Sequence, residues 1–368
     1  MYSPVSITTL STVLLALTTS AAAQFGLSTT LVSTTRTPRS IVMAPHPVGL
    51  HAIVSMSQQS EQIPVDVTIP TSPVVGTSVL HAQDQYCDAW WTEAFGGRLL
   101  TAHRGGGIQL WDAAWPTIVG PIPQLGYSST NYSHEGLETW SDGAGNTYAL
   151  YSEQHTSSLG QGGLRVYRVN ASSLAPIGQN LITGSAGRHL EVSANGGLVW
   201  QWSDRNNNQL DGVLRVYQTN NYTGNPTLVN SVPYAFTYGY GDTDLERNHS
   251  STTLVSAMGF DGLTAMNITT PTNPTINTMI GAQQTIFFDG VTLIPGTDFA
   301  LTWGFFKIGT LEVDFMLFLD TSIPGFANPV GGPIFPGYRI DDLKIQWGHI
   351  YAVGRTRTTN LQSIVVVY

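Results

Sequence analysis

Cysteine occurs once in this chain, at Cys87, so no intrachain disulfide can brace the fold. Charge is scarce as well: Asp, Glu, Lys and Arg make up 11% of the 368 residues, with a net charge of −9. A nucleic-acid backbone needs clustered Lys and Arg, so nucleic acid is excluded as a partner. No apolar run is long enough to span a bilayer. The catalytic patterns H-E-x-x-H and G-x-S-x-G are missing, and so is a phosphate-binding glycine loop. No motif therefore names a reaction.

What is present favours strands. There are 38 Gly and 20 Pro, and Val, Ile, Thr, Tyr and Trp are plentiful. β-Branched and aromatic side chains suit a pleated, half-buried surface, while Gly and Pro punctuate tight turns. The length suits two average domains or one large all-β domain. At the N-terminus, Ile7–Gln24 holds a short apolar stretch followed by Ala21-Ala22-Ala23, an A-x-A cleavage pattern, although no Lys or Arg precedes it. The expectation is a signal peptide over 1–23 and one domain over 24–368, hence a secreted, periplasmic or cell-surface protein. Sequons at Asn131, Asn170, Asn221, Asn248 and Asn267 matter only where the source glycosylates.

A four-residue strand recurs. It reads LRVY at Leu164–Tyr167 and again at Leu214–Tyr217, with weaker copies at Ile108–Trp111, Leu263–Met266 and Met316–Leu319. Val365–Tyr368 is a further copy, and Leu50–Ile53 is taken as the first. Recurrence about every 50 residues means a propeller or another repeat array. A second strand follows most copies and often opens on or next to Pro, as at Pro116, Ala175-Pro176, Pro226, Pro274 and Asn328-Pro329. Proline suits an edge strand, so this is the outermost of each unit. Hairpins precede the copies at Ala89–His103, Leu137–Glu153 and His189–Asp204, the first turning on Gly-Gly and the last on Asn-Gly. Four antiparallel strands per unit make a propeller blade. The last unit lacks its outer strand, and Ser28–Thr35 resembles one, so pairing the two chain ends would close the ring. The expected fold is an all-β propeller of seven four-stranded blades; six is the alternative if residues 36–80 fall short of a full blade.

The segments GLRVYRVNASSLAPIG, GVLRVYQTNNYTGNPTLVN and GLTAMNITTPTNPTIN resemble the repeats of the LVIVP-type bacterial surface propellers. The resemblance covers residues 98–282 clearly, and departs in the first and sixth units. It implies a secreted or surface-attached propeller without an assigned reaction.

In a propeller the innermost strand lines the central channel, with alternate residues sharing a face. By that rule His134, Glu135, Glu138, His189, Glu191, Asp244, Glu246, Asp342 and Lys344 converge on one mouth. His103, Glu153, His155 and Asp204 join them from the ends of the second strands. His134, His189, Glu191, Asp244 and Glu246 are the catalytic candidates, as a metal site or an acid–base pair for glycoside or lactone chemistry. His103, Glu138, His155 and Trp91 are candidates for ligand binding. Wet channels are routinely polar, however, and Arg188, Arg247 and Lys344 stand ready to neutralise carboxylates. Trp91, Trp140 and Trp347 could stack on sugar rings, although most aromatics pack between blades. Asp204, Asn206, Asn208 and Asp211 space oxygen ligands as a calcium loop does, but Gln209 replaces the expected Gly and Arg215 the final Glu. The expected function is a secreted, monomeric, non-catalytic binder of a protein or carbohydrate ligand. An extracellular hydrolase or lyase is the alternative, and a structural surface protein a third.

Overall fold

The computed structural model describes residues 29–33, 38–56, 61–79, 86–103, 107–115, 117–128, 133–154, 160–205, 208–238, 243–334, 336–355 and 362–367. The expected signal peptide lies outside these residues. Among them, the strands assemble into seven four-stranded antiparallel sheets. We number these blades in chain order. Their first strands are Pro38–His46, Tyr86–Thr92, Ser133–Ser141, Gly187–Val192, Thr243–Arg247, Ile286–Leu293 and Arg339–Gln346. Each first strand packs against the first strand of the next blade, and the seventh packs against the first, so they form a closed inner ring. This is a β-propeller.

Burial explains the sequence pattern of each strand. The second strands Gly49–Met56, Arg98–His103 and Thr253–Met258 are buried along their whole length. They lie in the middle of a sheet covered on both faces, and so read as near-continuous apolar runs. The outer strand Thr227–Ala235 instead alternates between exposed and half-buried residues. Between each pair of neighbouring blades lies one apolar cluster, the last joining Ile41 and Val54 of blade one to Tyr351 and Val353 of blade seven. The core is therefore a ring of seams. With no disulfide available, these seams carry the hydrophobic stabilisation.

The recurring strand at Ile108, Leu164, Leu214, Leu263 and Met316 is the third strand of its blade. Leu50–Ile53 departs from this: it belongs to the second strand of blade one, and the third is Glu61–Asp66. Charged ends and the internal Pro64, paired with Ile53, hide that strand from a search for LRVY. The segment at Pro116 also differs. A short 3₁₀ turn occupies Thr117–Val119, and the outer strand of blade two begins at Gln124. The Asp112 amide reaches the Pro123 carbonyl at 2.9 Å, which sets the later register. Residues 36–80, on which the six-blade alternative turned, supply three strands and a two-residue fourth, Val74–Val75. Thr29–Ser33 runs antiparallel to Gln362–Val367 and completes blade seven from the other end of the chain.

Candidate functional site

The first strands share a local frame. In six of the seven, pairing with the second strand shifts register near its start. Such a bulge re-aims the side chains beside it. After the shift comes a buried apolar residue: Ile41, Ala89, Leu137, Leu190, Val291 and Leu343, with Leu245 as the counterpart in the regular blade five. The residues flanking it on either side face the channel instead, which puts Asp88, His189, Asp244 and Asp342 at one level. Two residues after His189, Asp244 and Asp342, Glu191, Glu246 and Lys344 form the next level, joined by Glu138 two residues after Gly136.

The upper carboxylates hold the ring together. Asp88 accepts the Ala89 amide at 2.8 Å and the Leu137 amide of blade three at 3.0 Å. Asp244 repeats this with Leu245 at 2.9 Å and Val291 of blade six at 3.3 Å. Asp342 does the same with Leu343 at 2.7 Å and Ile41 of blade one at 2.8 Å. Glu138, one level down, accepts the Val192 amide of blade four at 2.6 Å. Each of these carboxylates clasps its own blade to the next. In blade three the matching upper position is Gly136, where a Cβ would stand 2.7 Å from the Arg188 carbonyl oxygen. The neighbouring strand comes too close there for any side chain.

Inside the ring lies a polar cavity of about 120 Å³. Asp88, Glu191, Asp244, Glu246, Asp289, Asp341 and Asp342 line it, against the cations Arg39, Arg339 and Lys344 and the imidazole of His189. Carboxylates exceed fixed positive charges among these described residues. Ion pairs offset part of the excess: Arg247–Glu191 at 3.2 Å, Arg339–Asp289 and Arg339–Asp341 at 3.4 Å, His189–Asp244 at 3.7 Å and Lys344–Asp342 at 3.9 Å.

Electrostatics follow from that crowding. Burial raises the Asp88 carboxyl to about 7, against the pull of His189 and Lys344. Burial likewise lifts Glu138 to about 8; its bond from Val192 opposes the rise, and Glu246 adds to it by repulsion. Glu246 also stands at about 8, chiefly through burial, with Lys344 pulling the other way. Glu191 is pushed well above the carboxylate range by burial and by Glu138 and Glu246. Burial disfavours the charge on Lys344, but Asp342, Glu246, Asp244 and Asp88 outweigh it and hold the ammonium above its ordinary value. At neutral pH the channel thus stores protons on its lower carboxyls.

His189, Glu191, Asp244 and Glu246 come together as the alternation rule expects, with Asp342 and Lys344 beside them. Other candidates do not join them. His103 is fully buried, its Nε2 2.8 Å from the Thr101 hydroxyl. Glu153 is also buried and forms an ion pair with Arg165. Trp91 sits three residues beyond Asp88, on the opposite face of the strand, and packs into the seam between blades one and two. Trp140 stacks on Tyr222 at 5.1 Å, whereas Trp347 is exposed on the turn that ends its strand. The side chains of His134 and Glu135, together with His155, lie outside the described residues. The calcium loop takes another form: Asp204 is buried in a strand 3.4 Å from Arg188, and Arg205 pairs directly with Asn208. Asn206 and the Asn208 side chain are outside the described residues, and Asp211 belongs to the third strand. Among the described residues, no group of three or more His, Cys, Asp or Glu is placed to hold a metal ion.

Sequence reasoning missed Asp88, Asp289, Asp341, Arg39 and Arg339. A signal for the first was readable, because Asp followed by an apolar residue recurs at Asp88-Ala89, Asp244-Leu245 and Asp342-Leu343. The others stand at or next to bulges, which composition does not announce.

No protein-family model and no curated protein matches the chain. Solved structures do. The β-propeller domain of Cps50 (Swd1) from Myceliophteria thermophila aligns with a TM-score of 0.62 at 9% identity, covering 93% of this chain and 99% of that one. The shared fold is a β-propeller. Saccharomyces cerevisiae Sqt1 aligns with a TM-score of 0.59 at 11% identity, covering 91% of this chain and 86% of that one. At such identity the likeness speaks for architecture alone. No described helix is long and apolar enough to cross a membrane.

Proposed function

We propose that this protein is an exported, monomeric, non-catalytic propeller of the LVIVP-repeat type, which binds a protein ligand through the channel mouth and its surrounding loops. The observation that carries this reading is the clasp geometry. Asp88, Asp244 and Asp342 each direct both carboxylate oxygens at backbone amides, so they serve as fixed joints between blades. A general base needs an oxygen free to take a proton. As they ionise, the carboxylates lining the mouth give it a field that attracts positive charge, so the ligand offers basic side chains. A glycan is the other ligand class, with the exposed Trp347 as a stacking surface.

A hydrolase or lyase is the second reading, because His189, Glu191, Asp244 and Glu246 line one cavity. Glu246, with its carboxyl at about 8, has the value of a general acid at neutral pH.

Fluorescence anisotropy with a short arginine-rich peptide, and an acidic peptide of equal length, tests the binding reading. The basic peptide should bind, weaken with added salt, and bind more tightly at pH 9 than at pH 7, as Glu246 gives up its proton. Equal binding of the two peptides, or none by either, would contradict it.

A further inference from the structure

At the opposite end of the first strands, away from the acidic mouth, two histidines meet in the seam between blades one and two. His46 closes the first strand of blade one, and His51 stands across the turn in its second strand. Both are buried, at 7% and 2% exposure. Among the described residues, Nε2 of His46 and both ring nitrogens of His51 have no hydrogen-bond partner. A neutral imidazole carries one donor and one lone pair, and burying both unused is unfavourable.

We propose that His46 and His51 form a two-imidazole site for a single late first-row metal ion, with copper preferred over zinc. The spacing fits one shared ion. A bound zinc lies about 2.0–2.1 Å from its nitrogen, so two imidazoles on one ion bring their ring centres to roughly 5–6 Å. The two centroids here are 5.7 Å apart, with the rings inclined at 71°. The backbone carbonyl of Ala113 accepts a hydrogen bond from the His46 ring. That is the outer-shell contact that orients a metal-binding imidazole and leaves its other nitrogen as the ligand.

The surroundings agree. Burial and the neighbouring His51 disfavour protonation of His46, and burial does the same for His51, so both rings offer lone pairs at neutral pH. The charged group facing this pair is Asp66, across the ladder from His51, and one of its oxygens accepts the Thr68 amide at 2.9 Å. Trp91 meets His46 edge-on at 5.6 Å, and Trp115 lies 5.8 Å from His51. Trp115 itself is 45% exposed. With nitrogen donors alone, affinity follows the order that places Cu²⁺ above Zn²⁺, and water completes the coordination.

The test is equilibrium dialysis of the full chain at pH 7 against Cu²⁺ or Zn²⁺, with elemental analysis and tryptophan fluorescence. The expected result is one ion per chain, copper bound at least about tenfold more tightly than zinc, and quenching by copper through Trp91 and Trp115. His46→Phe and His51→Phe keep ring volume and should each weaken binding by about tenfold or more, whereas exposed His249→Ala should not. Electron paramagnetic resonance of the copper-loaded wild type should show nitrogen coupling, which keeps the proposal testable should a variant fail to fold. Absence of bound metal, affinity unchanged in both Phe variants, or a copper signal without nitrogen coupling would overturn it.

Discussion

The amide of Ile41 donates to Oδ2 of Asp342 at 2.8 Å, joining residues 301 positions apart in sequence. Together with the apolar cluster around Ile41 and Tyr351, this bond ties blade seven to blade one and shuts the inner ring. Replacing Asp342 with Ala leaves the Ile41 and Leu343 amides without their carboxylate, at a cost of about 1–3 kcal/mol. Urea unfolding should show a lower midpoint with an unchanged slope. Asp342→Asn keeps a side-chain oxygen as acceptor and should fall between the two.

Stability should decline as pH rises through neutrality. Glu138 and Glu246 stand at about 8 in the folded chain and Asp88 at about 7, all above the values of an unfolded carboxylate. Between the unfolded and folded values the native state binds more protons than the unfolded state, so the slope of stability against pH is negative. The contribution is complete below about pH 4 and lost by about pH 8. Urea midpoints measured from pH 5 to pH 9 should fall, and Glu138→Gln with Glu246→Gln should flatten the curve. A midpoint that climbs across that range would refute the assignment.

Much of the architecture was legible because a blade repeats one pattern of burial. The third strands share an apolar, β-branched and aromatic composition, so Leu164–Tyr167 and Leu214–Tyr217 announce one another. Blade one escaped the pattern because Pro64 and charged ends interrupt its third strand. Alternation brought Glu191, Asp244, Glu246 and Lys344 to the channel correctly, since period two is a property of any strand. It failed for His103 and Glu153. They belong to second strands buried on both faces, where a polar side chain is absorbed by Thr101 or Arg165. Arg39, Asp289 and Asp341 were hidden because their aim depends on bulges.

Close approach between first strands gives a third prediction. A Cβ at Gly136 would lie 2.7 Å from the Arg188 carbonyl oxygen and 2.9 Å from the His189 Cα. Backbone must move to admit it, so Gly136→Ala should destabilise by about 1–3 kcal/mol. Thermal unfolding measures this, and Gly143→Ala is the control, since its Cβ meets nothing within 4 Å.

Closure by Thr29–Ser33 gives a fourth. Deleting residues through Ser33 exposes the edge of Gln362–Val367, a strand rich in Val. Unpaired edges recruit other chains, so the truncated protein should melt earlier and self-associate in sedimentation or light scattering. A truncated chain that stays monomeric with an unchanged melting temperature would argue that the seam clusters alone suffice.

The central claim is that the channel carboxylates hold the ring and attract a ligand without performing a reaction. Turnover by the wild-type protein should be measured on panels of glycosides and lactones, with Glu191→Gln and Glu246→Gln beside it. The account predicts no turnover above buffer for any of the three. Hydrolysis by the wild type that Glu246→Gln abolishes would contradict it and make the cavity an active site.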